Sequence, residues 1–370
     1  MFLDGKKKLL IVDDSAFMRK IIGDFFFNHP TIDVIGTARN GKDALMKIKS
    51  LKPDVVTMDI EMPEMNGIEA LKLIMAEHPV PIVMLSSTTD SGTENTMLAM
   101  EYGAVDFVAK PSGTISLDLH KIKDELVEKI LEASQVPLKK IRNSEVRNLP
   151  NNPVFIENSR SSQKVIHSNK GNDHAWSASR KKIVLIGTST GGPRALQEVL
   201  TRLPKDIKSP ILIVQHMPAG FTKSLASRLD QLSDIHVKEA EHGEELVDGT
   251  AYIAPGGYHL IVSRIGKTYS VELNDKLPPR VGHRPSVDVL FESVSQIKEV
   301  DKIAVIMTGM GSDGSKGLIQ LKENGVVKTI SESADTCIVY GMPKAAYETG
   351  LIDEVADVED IAKIIMKFLP

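Results

Sequence analysis

The sequence predicts an α/β protein with two doubly wound domains. The first is a five-stranded parallel sheet of flavodoxin-like type; the second is larger and mainly parallel, and carries an antiparallel hairpin. Three observations lead there. Short unbroken runs of Val, Ile and Leu alternate with segments of helical periodicity, the pattern of strands whose sheet is covered by helices on both faces. Polar and charged groups collect just past those runs, at the edge where open α/β sheets build sites. A chain of 370 residues also has room for about two separate cores.

In the first half, strands are expected over 9–12, 32–37, 54–58, 82–85 and 105–108, with helices over 15–28, 41–51, 67–78, 93–102 and 116–133. From about 135 to 180 the alternation stops. Leu149-Pro150-Asn151-Asn152-Pro153 and the polar run 158–170 are rich in Ser, Asn, Lys and Pro, which reads as a tether. The second half opens at 181 with strands over 183–186, 211–215, 237–239, 251–254, 302–307 and 326–330. Segments 259–264 and 268–273 form a hairpin across Ile265-Gly266-Lys267. Helices are expected over 193–203, 221–232, 285–295, 314–323, 344–349 and 358–368. The division is therefore 7–132, a linker over 133–180, and 181–370.

A net charge of −4 gives no reason to expect nucleic acid as a partner. The single cysteine, Cys337, excludes an intramolecular disulfide, and its apolar setting Cys337-Ile338-Val339-Tyr340 suits a buried thiol. Residues 1–8 hold no apolar signal core, and no apolar run is long enough to span a bilayer. A cytoplasmic monomer is expected.

Asp13 and Asp14 end the first strand and Asp59 the third, so three carboxyls converge at adjoining strand ends. Bare, they would repel one another; a hard divalent cation such as Mg²⁺ relieves that. The Ser86 hydroxyl and Lys110 ammonium arrive at the same edge, and the set suits phosphoryl transfer onto Asp59. The blander reading, helix-capping by Asp13 and Asp14 and a turn at Asp59, explains single residues but not five polar groups on one rim. In Ile11-Val12-Asp13-Asp14-Ser15, 58–67, Leu85-Ser86-Ser87 and Ala109-Lys110-Pro111 this half resembles the receiver domain of two-component response regulators. The resemblance implies Asp59 as phosphoacceptor, with Mg²⁺ held by Asp13, Asp14, Asp59 and the Glu61 main-chain carbonyl. It also implies Ser86 and Phe107 as switch positions.

In the second half, Gly187-Thr188-Ser189-Thr190-Gly191-Gly192 reads as a strand end, a tight turn with a serine at its tip, and a helix start. Gln215-His216-Met217-Pro218 and 308–314 place a histidine and Asp313 after two further strands. Ser189, His216 and Asp313 then form a candidate triad, with the amides of Thr190 and of the loop at Met310 as oxyanion donors. The chain order Ser…His…Asp differs from that of α/β hydrolases, so their fold is not implied. Ser189 could instead begin a phosphate-binding turn, though Gly-Lys-Ser/Thr is missing. Asp313 could merely cap a helix, and loop-borne His283 is the strongest rival to His216.

These segments, with Tyr252-Ile253-Ala254-Pro255-Gly256, 283–291 and Tyr340-Gly341-Met342-Pro343, make this half similar to the catalytic domain of chemotaxis protein-glutamate methylesterases. The resemblance implies nucleophile Ser189, base His216 and orienting Asp313. It implies hydrolysis of glutamate methyl esters and deamidation of glutamines on methyl-accepting chemoreceptors, without a cofactor for that chemistry. A histidine kinase would phosphorylate Asp59 and relieve hindrance by the receiver. The alternative is a response regulator whose α/β output domain binds a ligand or partner without catalysis.

Overall fold

The computed structural model describes residues 5–110, 119–142, 176, 179–266 and 268–369. In the first unit β1 (Lys7–Val12), β2 (Ile32–Ala38), β3 (Val55–Asp59), β4 (Ile82–Ser86) and β5 (Asp106–Ala109) pair in parallel in the order β2-β1-β3-β4-β5. Around them run α1 (Ala16–Phe25), α2 (Gly41–Leu51), α3 (Gly67–Glu77), α4 (Asp90–Glu101) and α5 (Leu119–Ala133). Side-chain caps set four of these starts: Ser15, Asn40, Asn66 and Thr89 each accept an amide of the first turn. Thr89 starts α4 three residues before the sequence pattern suggests, because Gly92 in its first turn hides the helix. α1 stops short of 28, where Asn28 turns to φ 57°.

A short helix, α6 (Leu138–Arg142), stands where the sequence suggests a tether. Its Lys140 ammonium donates to the carbonyls of Ala334 (2.7 Å) and Cys337 (2.6 Å). The polar runs of the expected linker lie outside the described residues, as do 116–118 of the expected fifth helix.

The second unit is built on seven parallel strands in the order β14-β13-β12-β6-β7-β9-β8. They are β6 (Lys182–Thr188), β7 (Ile211–Gln215), β8 (His236–Glu239), β9 (Thr250–Ile253), β12 (Asp301–Ile306), β13 (Val327–Glu332) and β14 (Glu354–Ala356). The three-residue β14 is too short to show as an apolar run. The hairpin, β10 (His259–Ile265) with β11 (Thr268–Asn274), forms a two-stranded sheet apart from the large one, and the free edge of β11 hydrogen-bonds to the segment 243–246. Helices α7 (Gly192–Leu200), α8 (Phe221–Leu232) and α12 (Val358–Phe368) cover one face of the large sheet. On the other lie α9 (Val287–Ser295), α10 (Ser315–Asn324) and α11 (Met342–Glu348).

Burial follows the strand period of two. Val184 and Ile186, Ile211 and Ile213, Ile303 and Val305 join one apolar cluster; Ile183 and Leu185, Leu212 and Val214, Ala304 and Ile306 join the other. The first cluster continues without a break into the first unit, through Phe221 and Phe107, whose rings lie 4.6 Å apart. The chain leaves β6 for β7 on one side and later returns to β12 on the other. That reversal opens a crevice at the carboxyl ends of β12, β6 and β7.

Candidate active site and acidic cluster

Parallel register places Thr188 beside Gln215, so Ser189 and His216 leave the large sheet side by side, and the His216 amide donates to the Thr188 carbonyl at 3.1 Å. Two glycines make the turn possible. Gly191 adopts φ 78°. Gly192 leaves no room for a Cβ, which would lie 1.9 Å from both Gln215 Oε1 and Thr188 Oγ1. Gln215 then steadies the serine loop from below: its Nε2 donates to the Ser189 carbonyl at 3.0 Å. The Ser189 amide is taken by the Thr308 carbonyl (3.0 Å) and points away from any incoming carbonyl. The amides of Thr190 and Met310 have no acceptor among the described residues.

His216 Nε2 lies 2.8 Å from Asp313 Oδ2, and both side chains are buried. Asp313 is saturated by further donors: the Ser286 hydroxyl and Asp288 amide at 2.9 Å and the Val287 amide at 2.7 Å. Burial alone would raise this carboxyl. The hydrogen bond and charge of His216, with the two amides, override burial and bring the pKa down to about 2. An ionised Asp313 only accepts, so Nε2 carries a proton and Nδ1 the lone pair. Among the described residues the buried Nδ1 has no hydrogen-bond partner, and no hydrogen bond joins Ser189 to His216. Such contacts are often open before substrate arrives.

Two features escaped the sequence reading. The Ser286–Val287–Asp288 cradle for Asp313 lies within the 283–291 segment, yet no spacing rule aims it at a loop 25 residues away. The His283 ring stacks on that of His216, with centroids 3.9 Å apart and planes at 9°. Sequence pattern made it a rival to His216; the structure gives the Asp313 contact to His216.

The first unit closes over this edge. Thr190 Oγ1 donates to Asp106 Oδ2 at 2.6 Å and lies 3.3 Å from Glu132 Oε2. Met310, 38% exposed, lines a cleft with Phe25, Phe27, Val127 and Leu131 of the first unit. Thr93 meets Ser224 at 2.7 Å, and Glu101 takes a two-point contact from Arg228 (2.5 and 2.9 Å). Phe107, the expected switch residue, is buried against Phe221.

At the far rim of the small sheet, Asp13, Asp14 and Asp59 each offer an oxygen within 4.8 Å of the others. Lys110 Nζ bridges Asp13 (3.0 Å) and Asp59 (2.7 Å). Burial lifts the Asp59 pKa to about 6, and Asp13 adds to that while Lys110 opposes it. Three carboxyls against one ammonium are the oxygen-rich, under-neutralised set that fits a hard divalent cation. Ser86 differs from expectation. Its hydroxyl faces α4, donating to the Gly92 carbonyl (3.0 Å) and accepting from Thr96 Oγ1 (2.6 Å), because α4 begins early enough to supply both partners. Cys337 is buried, and burial raises its thiol pKa. Among the described residues no helix is long and apolar enough to cross a membrane.

Residues 184–365 match the CheB methylesterase family model and residues 9–120 that of the response regulator receiver domain. A protein-glutamate methylesterase/protein-glutamine glutaminase of Geobacillus kaustophilus is 55% identical over 98% of this chain and 98% of its own. Its counterpart in Halalkalibacterium halodurans is 54% identical over 99% of both. The crystal structure of the Thermotoga maritima CheB methylesterase catalytic domain is 44% identical and covers 51% of this chain and 99% of its own, with a TM-score of 0.49. This chain belongs to the CheB methylesterase family, in the form that carries an N-terminal receiver domain.

Proposed function

We propose that the protein is a phosphorylation-controlled serine hydrolase that demethylates glutamate methyl esters and deamidates glutamines on chemoreceptors. The observation that carries this reading is the His216–Asp313 pair beside Ser189 at the crevice. Ser189 Oγ attacks the ester carbonyl carbon while its proton passes to His216 Nδ1, the free nitrogen of the ring. The amides of Thr190 and Met310 receive the tetrahedral oxyanion. Collapse breaks the bond to the methoxy oxygen, which leaves as methanol with the proton from His216. Water then opens the acyl-serine by the same route in reverse. With a glutamine substrate the leaving group is ammonia.

Residues 7–132 act as receiver, 181–370 as esterase, and 133–180 join them. Asp59 accepts the phosphoryl group from a histidine kinase. Asp13, Asp14, Asp59 and the Glu61 carbonyl would hold Mg²⁺, which neutralises charge on the phosphoryl oxygens when bound. Lys110 adds a second positive charge. The phosphoryl group draws the Ser86 hydroxyl off Gly92 and Thr96, loosening the first turn of α4 where Thr93 touches Ser224. With Phe107 this transmits the signal to a face that covers Thr190, so the receiver hinders receptor access until Asp59 is phosphorylated. The protein works as a cytoplasmic monomer.

The test is methanol release from a methylated chemoreceptor fragment, with and without acetyl phosphate. Release that acetyl phosphate stimulates is the expected result; no release under either condition removes the esterase reading.

A further inference from the structure

We propose that His283 is a positioning residue for the hydrolysis: its ring holds the His216 imidazole in the plane that keeps Nδ1 turned toward Ser189, and steadies that imidazole while it carries the transferred proton. This rests on the esterase reading given above.

A single hydrogen bond to Asp313 fixes one atom of the His216 ring but not its plane, and among the described residues Nδ1 has no partner to fix the other side. The parallel face of His283 at 3.9 Å supplies that second restraint. His283 is itself firmly held. Its amide donates to the Arg280 carbonyl (3.0 Å) and its carbonyl accepts from the Arg280 amide (2.9 Å), closing a two-residue turn. Both central residues have positive φ, 51° at Val281 and 82° at Gly282. A β-branched residue rarely adopts that conformation, so the turn is kept against a local preference, as happens where a side chain must be aimed. Three residues further on, Ser286, Val287 and Asp288 bind Asp313. One segment, 283–288, therefore orients both the imidazole and its carboxylate.

Stacked histidines help only if one stays uncharged. Among the described residues the charged or titratable side chains that act on His283 are His216, Asp313 and Lys129 from α5, while the Arg280 guanidinium is held by Glu292. Burial first, then the charge of His216, lowers the His283 pKa to about 4, with Lys129 adding and Asp313 opposing. At neutral pH His283 thus offers an uncharged aromatic face to the imidazolium that forms on His216.

The experiment compares the full chain with its His283→Ala and His283→Phe variants, using methanol release from the methylated receptor fragment. His283→Ala should lower kcat roughly tenfold or more at unchanged KM, and His283→Phe, which keeps the flat face, should restore most of it. Nitrogen-15 spectra of the unsubstituted protein provide a readout that needs no variant. They should show His216 protonated at Nε2 and His283 neutral until about pH 4. A His283→Ala enzyme at parental kcat, a Phe variant as impaired as Ala, or a His216 ring protonated at Nδ1 would each overturn the proposal. No methanol release from the unsubstituted chain, with or without acetyl phosphate, would instead remove the esterase reading, so the two failures are distinct.

Discussion

Thr190 Oγ1 donates to Asp106 Oδ2 at 2.6 Å, and this contact ties the residue after Ser189 to the receiver domain. Asp106 has its other oxygen on Lys129 (3.1 Å) and on the Phe107 amide (2.7 Å). The receiver face therefore grips the very residue whose amide is assigned to the oxyanion.

The grip is sensitive to pH. One hydroxyl has one proton, and Asp106 takes it, so Glu132 at 3.3 Å can join the contact only by donating a proton of its own. Burial, with Asp106 and Glu128 adding, raises the Glu132 pKa to about 8. Because the docked value lies above the ordinary 4.5, docking is at full strength below that ordinary value and weakens as pH rises through about 8. The ratio of acetyl-phosphate-stimulated to unstimulated methanol release should fall with rising pH over that window. In Glu132→Gln, neutral at every pH, the ratio should stay flat; a Gln variant that tracks the parent would show that Glu132 is not the group involved.

At the triad, Ser189→Ala should abolish methanol release and fluorophosphonate labelling. Asp313→Asn should cost about 10⁴ in kcat, because the amide no longer fixes the proton on His216 Nε2. It also sets an NH₂ group against the donors of Ser286, Val287 and Asp288, so thermal stability should drop by about 1–3 kcal/mol. In the parent the Asp313 pKa is depressed from 3.8 to about 2. Its contribution is thus whole above the ordinary value and disappears as pH falls through the lowered one. Calorimetry of parent and variant as a function of pH reads both effects.

Asp59→Asn, or removal of divalent cations with a chelator, should bring the stimulation ratio to one. Undiminished stimulation in Asp59→Asn would move the phosphoacceptor elsewhere, and undiminished stimulation after chelation would remove the divalent cation from the reaction.

Interface contacts differ in weight. Phe221 is fully buried against Phe107, and truncation to Ala removes about 3–5 kcal/mol of packing. The Glu101–Arg228 pair is partly exposed and worth about 0–1 kcal/mol. Phe221→Ala should therefore raise unstimulated activity well above that of Arg228→Ala. Equal effects would mean that the aromatic contact does not dominate docking.

Much of this molecule is legible in the residues alone. Strands such as Ile211–Gln215 and helices such as Phe221–Leu232 and Val358–Phe368 coincide with their sequence bounds, since apolar runs and periodicity express burial directly. The segments bearing Asp13, Asp59, Ser189, His216 and Asp313 are local motifs at strand ends, so they too can be read in one dimension. What sequence hides is relation across distance. Asp106 and Glu132 meet Thr190, and His283 meets His216, through packing that no spacing encodes. The Ser86 hydroxyl turned to α4 because of a cap at Thr89 that Gly92 masked.

α5 ends at Ala133 and α6, pinned to the esterase surface by Lys140, begins at Leu138. Only residues 134–137 lie between, a reach of roughly 14 Å when fully extended. Under the regulation proposed above, and with that anchor kept, the receiver is leashed at one corner and would swing open like a door on a hinge rather than drift away. The effective concentration of the cover over the crevice would then remain high, so loss of the phosphoryl group would shut the enzyme again without a search.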